Sequence, residues 1–392
     1  MKSLHTAEPI PAEARADIDA LLESGDLFRY HRAEDAPVTL LEQEFADYLG
    51  SKYALAVASC SAALFLSLRA LNLSHNAKVL IPAFTFAAVP SSVVHANCVP
   101  VLVDVADNYR IDLKDFEAKF TDEIEAVLIS HMRGHTSDMD AIKTLCDAKG
   151  VPLVEDAAHS LGTKWNGQNI GTIGKVGCFS FQSYKLLNAG EGGILVTDDE
   201  EVIARAVIMS GAYETNWSKH NLAPELFEEV QNQLPLYNTR LSNLAAAVVR
   251  PQIKEVARRA SDGLKNHNYV AERINQSPVI NVPAPLEPEH RAPDSLQFNL
   301  VSLSDDQADA FVAAAGKAGV SVSIFGRQKN NARAFWNWQF LGDVPELPQT
   351  RAMLMRAVDL RLPARLTQDE LDFIIDGLLT AAATVEAQKA AA

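Results

Sequence analysis

Cysteine is scarce in this chain. The four that occur in 392 residues, Cys60, Cys98, Cys146 and Cys178, lie tens of residues apart and never form a CxxC pair. That excludes a disulfide framework and fits reduced thiols in a cytoplasmic protein. Long apolar runs are missing too. None approaches the roughly 20 residues that a membrane span needs, and the start, Met1-Lys2-Ser3-Leu4-His5, lacks the apolar core of a secretory leader. Positive charge is in deficit: 35 Lys and Arg stand against 50 Asp and Glu, a net −15 with no basic stripe. Neither a nucleic acid nor a membrane surface is expected as partner. There is no GxGxxG, no Walker loop and no GxSxG elbow, so nothing supports a dinucleotide, a nucleoside triphosphate or a serine hydrolase. His131-x-x-x-His135 has a metal-ligand spacing on a helix. Gly134 and the preceding strand spoil that geometry, and no further ligand completes the set, so no metal is expected.

What is present is a regular alternation. Strand candidates are Tyr53–Ser59, Lys78–Phe84, Val99–Val105, Ala126–His131, Pro152–Asp156, Gly177–Phe181 and Gly193–Thr197. Several are nearly continuous apolar runs, as strands buried on both faces should be. Helical patterns such as Ser61–Leu71 and Ser137–Lys149 lie between them, the second closed by Gly150. The alternation predicts an α/β fold with a mostly parallel sheet flanked by helices. After about residue 250 the character changes. Ile253–Ile274 reads as one long charged helix, followed by a proline-rich link from Pro278 to Pro293. Strands Phe298–Leu303 and Val320–Phe325 then surround a helix over Asp306–Ala318. A capping box, Thr367-Gln-Asp-Glu370, opens a last helix to about Val385, with Glu386–Ala392 expected to fray. This predicts a large domain over 1–250 and a small C-terminal α+β domain over 251–392.

The segment Gly177-Cys-Phe-Ser-Phe-Gln-Ser-Tyr-Lys185-Leu-Leu-Asn-Ala-Gly-Glu-Gly-Gly193 carries the most chemistry. It sets Lys185 after a strand and before a glycine-rich turn, with Ser180 five residues upstream. A lysine desolvated beside a phosphate site loses basicity, and its neutral amine can form a Schiff base with an aldehyde or ketone. Taken alone it could equally be a surface lysine beside a turn. Val151-Pro-Leu-Val-Glu-Asp156 is a strand ending in a carboxylate, where open α/β sheets bind ligands. Asp156 could pair with a protonated ring nitrogen or simply cap the next helix. Ser59-Cys-Ser61 enters a helix whose N-terminus suits a phosphate, or the serines only cap it. Phe86, just past a strand end, could lie flat on a ring or belong to the core. Asn238 and Arg240 are polar groups ahead of an alanine-rich helix.

Together these segments resemble the DegT/DnrJ/EryC1/StrS family of sugar aminotransferases. The resemblance runs from about residue 15 to 380, through Ser59-Cys-Ser-Ala-Ala-Leu64, Pro82-Ala-Phe-Thr-Phe86, Pro100-Val-Leu-Val-Asp104, Glu155-Asp-Ala-Ala-His159, Phe179-Ser-Phe-Gln-Ser-Tyr-Lys185, Gly190-Glu-Gly-Gly193 and Asn238-Thr-Arg240. It implies the fold type I (aspartate aminotransferase-like) architecture around pyridoxal 5'-phosphate (PLP), with pyridoxamine phosphate (PMP) as the half-reaction form. By that resemblance Lys185 carries the Schiff base and Asp156 pairs with the pyridine nitrogen. Phe86 stacks on the ring, and Ser61, Ala62 and Ser180 bind the phosphate. His159 lies near the phenolic oxygen. Asn238 reaches the phosphate of a neighbouring subunit, which implies a homodimer with shared active sites.

The implied activity is transfer of an amino group from an amino acid, glutamate or glutamine, to a keto or aldehyde sugar or a cyclitol by a ping-pong mechanism. Arg29, Tyr30, Arg240, Arg327 and Arg333 are the candidate substrate binders, the arginines because they can grip a carboxylate bidentately. The chain departs from the family pattern at Cys60-Ser61, where Gly-Thr is usual; a cysteine tolerates positive φ poorly. Gln182 in place of a histidine is similar to the cyclitol aminotransferases, whereas 325–341 and Leu27-Phe-Arg-Tyr30 resemble the subgroup acting on eight-carbon acidic sugars. Two alternatives stand beside this reading. A PLP/PMP-dependent sugar dehydratase would replace the lysine by histidine, and a non-catalytic regulator of the same fold would not need the site intact.

Overall fold

The structure is a computed structural model that describes residues 4, 7–31 and 35–391, with the backbone alone at 390 and 391. Its centre is a seven-stranded sheet of β1 (Tyr53–Val57), β2 (Lys78–Pro82), β3 (Val99–Val103), β4 (Ile124–Ser130), β5 (Leu153–Asp156), β6 (Val176–Ser180) and β7 (Gly193–Thr197), in the order β1-β7-β6-β5-β4-β2-β3. Every pairing is parallel except the two made by β7, which runs antiparallel to β6 and to β1. The carboxyl ends of β1, β2, β4, β5 and β6 therefore share one edge, where an open α/β sheet binds its ligand. The sheet is buried from both sides. One apolar cluster holds Leu55, Ile81, Leu128 and Val154. The other holds Ala56, Leu80, Val127 and Leu153, which are the alternate positions of the same strands. This is why the strands read as unbroken apolar runs.

The predicted helices form with shifts of one or two residues. Cys60–Ala70 is capped by Ser59, and Met139–Lys149 by Asp138, closing at Gly150 with φ 65°. The long charged segment starts as a 3-10 turn, Arg250–Glu255, before the α-helix Val256–Ile274. A second, four-stranded sheet follows: β8 (Ile280–Asn281), β9 (Ser295–Leu300), β10 (Ser323–Ile324) and β11 (Ala357–Arg361), in the order β8-β9-β11-β10. Its core gathers Val270, Phe298, Phe311, Val358, Ile374 and Val385. The proline-rich link is not featureless, because β8 and the bridge strand Glu289–His290 both lie within it. Nor does the C-terminus fray at Glu386. The last helix, opened by the predicted capping box, runs from Gln368 to Ala391, and Glu386 Oε1 accepts a 2.8 Å hydrogen bond from Ser277 Oγ. That contact and buried Val385 hold the extra turn; Ala392 lies outside the described residues.

Candidate active site

Five strand ends and the start of β7 converge on one cavity of about 730 Å³. Asp156 closes β5, and its carboxylate is buried among donors. Ser130 Oγ at the end of β4 donates to Oδ2 at 2.8 Å, the Ala158 amide donates to Oδ1 at 3.1 Å, and Thr85 donates to Ser130 in turn at 2.8 Å. The Cys60 thiol completes the shell, with Sγ 3.8 Å from Oδ1. Burial, with Asp156 beside it, pushes that thiol well above its ordinary pKa, so it faces the carboxylate as a neutral donor.

Lys185 follows β6 in a turn whose amide bonds to the Gln182 carbonyl. Its Nζ lies 2.8 Å from Nε2 of His159. Burial lowers the lysine pKa from 10.5 to about 8, against the pull of Asp294, and Arg133 adds to the fall. Burial and the neighbouring Lys185 also push His159 well below the usual histidine range, so the imidazole is neutral. At pH 7 roughly a tenth of such a lysine is free amine, against fewer than one in a thousand for an exposed one.

The phosphate candidates separate. Ser61 and Ser180 line the cavity. Ala62 does not, and its amide is taken by the capping Ser59 Oγ at 3.1 Å. Cys60 sits inside the helix without positive φ, so the feared conflict at this position does not arise. The start of β7 presses against the same turn. A Cβ on Gly193 would stand 2.4 Å from the Cys60 nitrogen and 2.4 Å from the Ser59 carbonyl carbon. Phe86 is 45% exposed and lines the cavity instead of entering the core.

Of the five candidate substrate binders, only Arg333 reaches the cavity. Arg29 is buried and spent on Glu42 (2.9 Å) and the Ala56 carbonyl (3.3 Å). Tyr30 bonds through its hydroxyl to His220 Nε2 at 2.9 Å. Arg240 donates to the Gly211 carbonyl at 2.8 Å and lies over the rings of Phe28 and Tyr213. Arg327 is tied to Asp309 and Asp305 at the surface. Arg29 and Arg327 already hold carboxylates of the chain itself, and Arg240 holds a backbone carbonyl. Asn238 is exposed and lies off the cavity wall of its own chain. His131 and His135 serve structure: the first meets buried Glu155 at 3.0 Å and the second Gln297 at 3.1 Å. Among the described residues no three His, Cys, Asp or Glu side chains cluster as metal ligands.

Sequence reasoning missed Arg133, Asp294, Asp359 and Arg361. Arg133 lines the cavity from a left-handed backbone position, φ 56°. Such strain in a non-glycine residue concentrates at functional sites. It pairs with Asp359 of β11, while Arg361, two residues on, pairs with Asp294 at 3.0 Å. Burial raises the Asp294 carboxyl, but Arg361, Arg133 and Lys185 together hold it below the usual carboxylate range. The signal for Asp359 and Arg361 was the alternation of polar and apolar residues in Ala357–Arg361, which sets both on one face of the strand.

Residues 10–379 match the DegT/DnrJ/EryC1/StrS aminotransferase family. The spore coat polysaccharide biosynthesis protein SpsC of Bacillus subtilis (strain 168) is 29% identical over 381 residues, 94% of each chain. The 3-amino-5-hydroxybenzoate synthase of Amycolatopsis mediterranei (strain S699) is 29% identical over 318 residues, covering 80% of this chain and 79% of that one. Among solved structures, the aminotransferase TlmJ from Streptoalloteichus hindustanus superposes with a TM-score of 0.84 at 20% identity, over 99% of this chain and 100% of that one. With its lysine, aspartate and helix N-terminus gathered at one edge of a fold type I sheet, the chain belongs to the DegT/DnrJ/EryC1/StrS aminotransferase family and is an aminotransferase.

Proposed function

We propose that this chain is a PLP-dependent aminotransferase that carries an amino group from glutamate or glutamine to a keto or aldehyde sugar, or to a cyclitol, in two half-reactions sharing one cavity. The observation that carries the reading is a desolvated Lys185 amine of lowered pKa in the same cavity as the Asp156 carboxylate. The cavity residues fit the cofactor. Lys185 would hold its aldehyde carbon, Asp156 its ring nitrogen, Phe86 its ring face, and His159 its phenolic oxygen. Ser61, at the positive end of the helix Cys60–Ala70, and Ser180, at the end of β6, would hold its phosphate. When bound, PLP supplies an electron sink for the carbanion left by loss of the donor's α-proton.

The chain's own residues do the rest. Lys185 Nζ, as a neutral amine, would take that proton as general base and, once protonated, give it back as general acid. His159, neutral and within hydrogen-bond reach, keeps the amine oriented. Asp156, oriented by the hydrogen bonds from Ser130 and Ala158, would face the ring nitrogen.

We also propose a homodimer with Asn238 serving the partner's site. Asn238 is exposed, and so are Phe28, Tyr213 and Leu236. The four free cysteines support a cytoplasmic enzyme. A separate core around Phe298, Phe311 and Ile374 supports division into 1–250 and 251–392. The test is direct: purified protein should be yellow, bleach with glutamate and regain colour with the right ketone from a panel. A colourless protein that takes up no PLP defeats the reading.

A further inference from the structure

We propose that Gln252 and Arg259 are positioning residues for Lys185: by gripping the backbone just beyond it, they hold its amine inside the cavity and away from water. The role of that amine rests on the aminotransferase reading above; neither Gln252 nor Arg259 lines the cavity.

Lys185 sits in an irregular stretch between β6 and β7, with no helix or strand of its own. The two ends of the stretch are tied to each other. The Phe181 amide donates to the Gly192 carbonyl at 2.9 Å, the Ser183 amide to that of Gly190 at 3.1 Å, and the Ala189 amide to that of Phe181 at 2.8 Å. Between those ties, side chains from elsewhere hold the backbone. Gln252, in the 3-10 turn Arg250–Glu255, pairs with both peptide groups of Asn188: Oε1 accepts from the amide at 3.2 Å, and Nε2 donates to the carbonyl at 2.7 Å. Arg259, on the helix Val256–Ile274, donates from one Nη1 to the Leu186 carbonyl at 2.6 Å and to Gln252 Oε1 at 3.0 Å. Its Nη2 donates to the Pro9 carbonyl at 3.2 Å. The two side chains form one hydrogen-bonded unit, and both are buried.

Packing alone does not call for these residue types. Arg259 has no ion pair among the described residues, and burial lowers its pKa even with Glu8 nearby. A buried guanidinium of this kind is costlier than methionine or leucine in the same space. The hydrogen bonds that offset the cost converge on the first and third residues after Lys185. Adjacent Cα atoms lie about 3.8 Å apart, so a pinned Leu186 carbonyl leaves the Lys185 backbone little freedom to swing. The groups that then meet the amine are His159, Asp294, Arg133, Asp156 and Cys60.

The test follows the amine itself, in the full chain without PLP. Competitive acetylation across the alkaline range, read by mass spectrometry of the Lys185 peptide, gives its titration midpoint. In wild type the midpoint should lie near pH 8. In Gln252→Leu, which changes no charge, and in Arg259→Met, the loosened turn should let the amine reach water. The midpoint should rise by at least about one pH unit, a roughly 10-fold loss of free amine at neutral pH. Arg259→Lys, which keeps the charge without the guanidinium fork, should fall in between. PLP affinity, by fluorescence titration, should weaken in the same order. A pair that served stability alone would lower the melting temperature and leave the midpoint in place, so folded variants with the wild-type midpoint overturn the proposal. Hydrogen exchange on wild type needs no variant: the Asn188 amide should be protected, and free exchange there also overturns it. A wild-type midpoint at the ordinary lysine value defeats instead the desolvated site on which the aminotransferase reading stands, and the proposal falls with it.

Discussion

Replacing Lys185 by methionine should make the protein without cofactor more stable at neutral pH. The substitution keeps length and flexibility and removes the charge together with the hydrogen bond to His159. In the fold, burial lowers the lysine pKa from 10.5 to about 8, a gap equivalent to about 3 kcal/mol against the protonated form. Water at the open side of the cavity and the lost hydrogen bond to His159, worth about 1 kcal/mol, reduce the expected gain to roughly 1–2 kcal/mol. The sign follows from proton binding. The folded chain releases its proton before the unfolded chain does, so the penalty is complete below pH 8. It shrinks between about pH 8 and 10.5, and it is gone above. Urea denaturation of wild type and Lys185→Met from pH 6.5 to 10.5 should therefore show a variant that is more stable at pH 7 and converges with wild type as pH rises. A variant less stable than wild type at pH 7, or a difference that does not vary with pH, would refute the claim that Lys185 is held in a desolvated site.

Other outcomes follow from the same geometry. Asp156→Asn should lower PLP affinity at least about 10-fold and single-turnover rate at least about 100-fold, because the replaced oxygen loses its charge while Ser130 and Ala158 still point at it; fluorescence titration and stopped-flow bleaching measure the two. Gly193→Ala should push the Ser59–Cys60 turn away from β7, costing about 2–4 kcal/mol in stability together with phosphate affinity, read by denaturation and by PLP titration. Asp359→Asn should leave Arg133 buried without its counter-charge and lower stability by about 3 kcal/mol, whereas Glu386→Ala should cost only about 0.5–1 kcal/mol through the Ser277 contact.

Much of the site was legible because its parts are local. Lys185, Asp156, Ser61, Ser180 and Phe86 each follow a strand that announces itself as an apolar run, and a parallel sheet brings those strand ends to one edge. The charge partners around the cavity arginines were not legible. Asp359 and Arg361 reach the cavity from β11 of the small sheet, and Asp294, which pairs with Arg361, sits just ahead of β9; all are more than 100 residues from Lys185, and nothing local to them marks a charge partner. The reverse error has a physical reason too. Arg29, Arg240 and Arg327 look in sequence like cations awaiting a ligand, yet Glu42, the Gly211 carbonyl and Asp309 already satisfy them. Sequence does not reveal whether a partner lies inside or outside the chain. The C-terminal helix outran its expected end for the same kind of reason, since the residue that anchors it, Ser277, is 109 positions away.

The account stands on Lys185 being the amine that binds the cofactor aldehyde. Incubating the protein with PLP, reducing with borohydride and mapping the peptides tests this most directly. A single pyridoxyl label on the peptide carrying Lys185 is the predicted result; a label on another lysine, or on none, contradicts it.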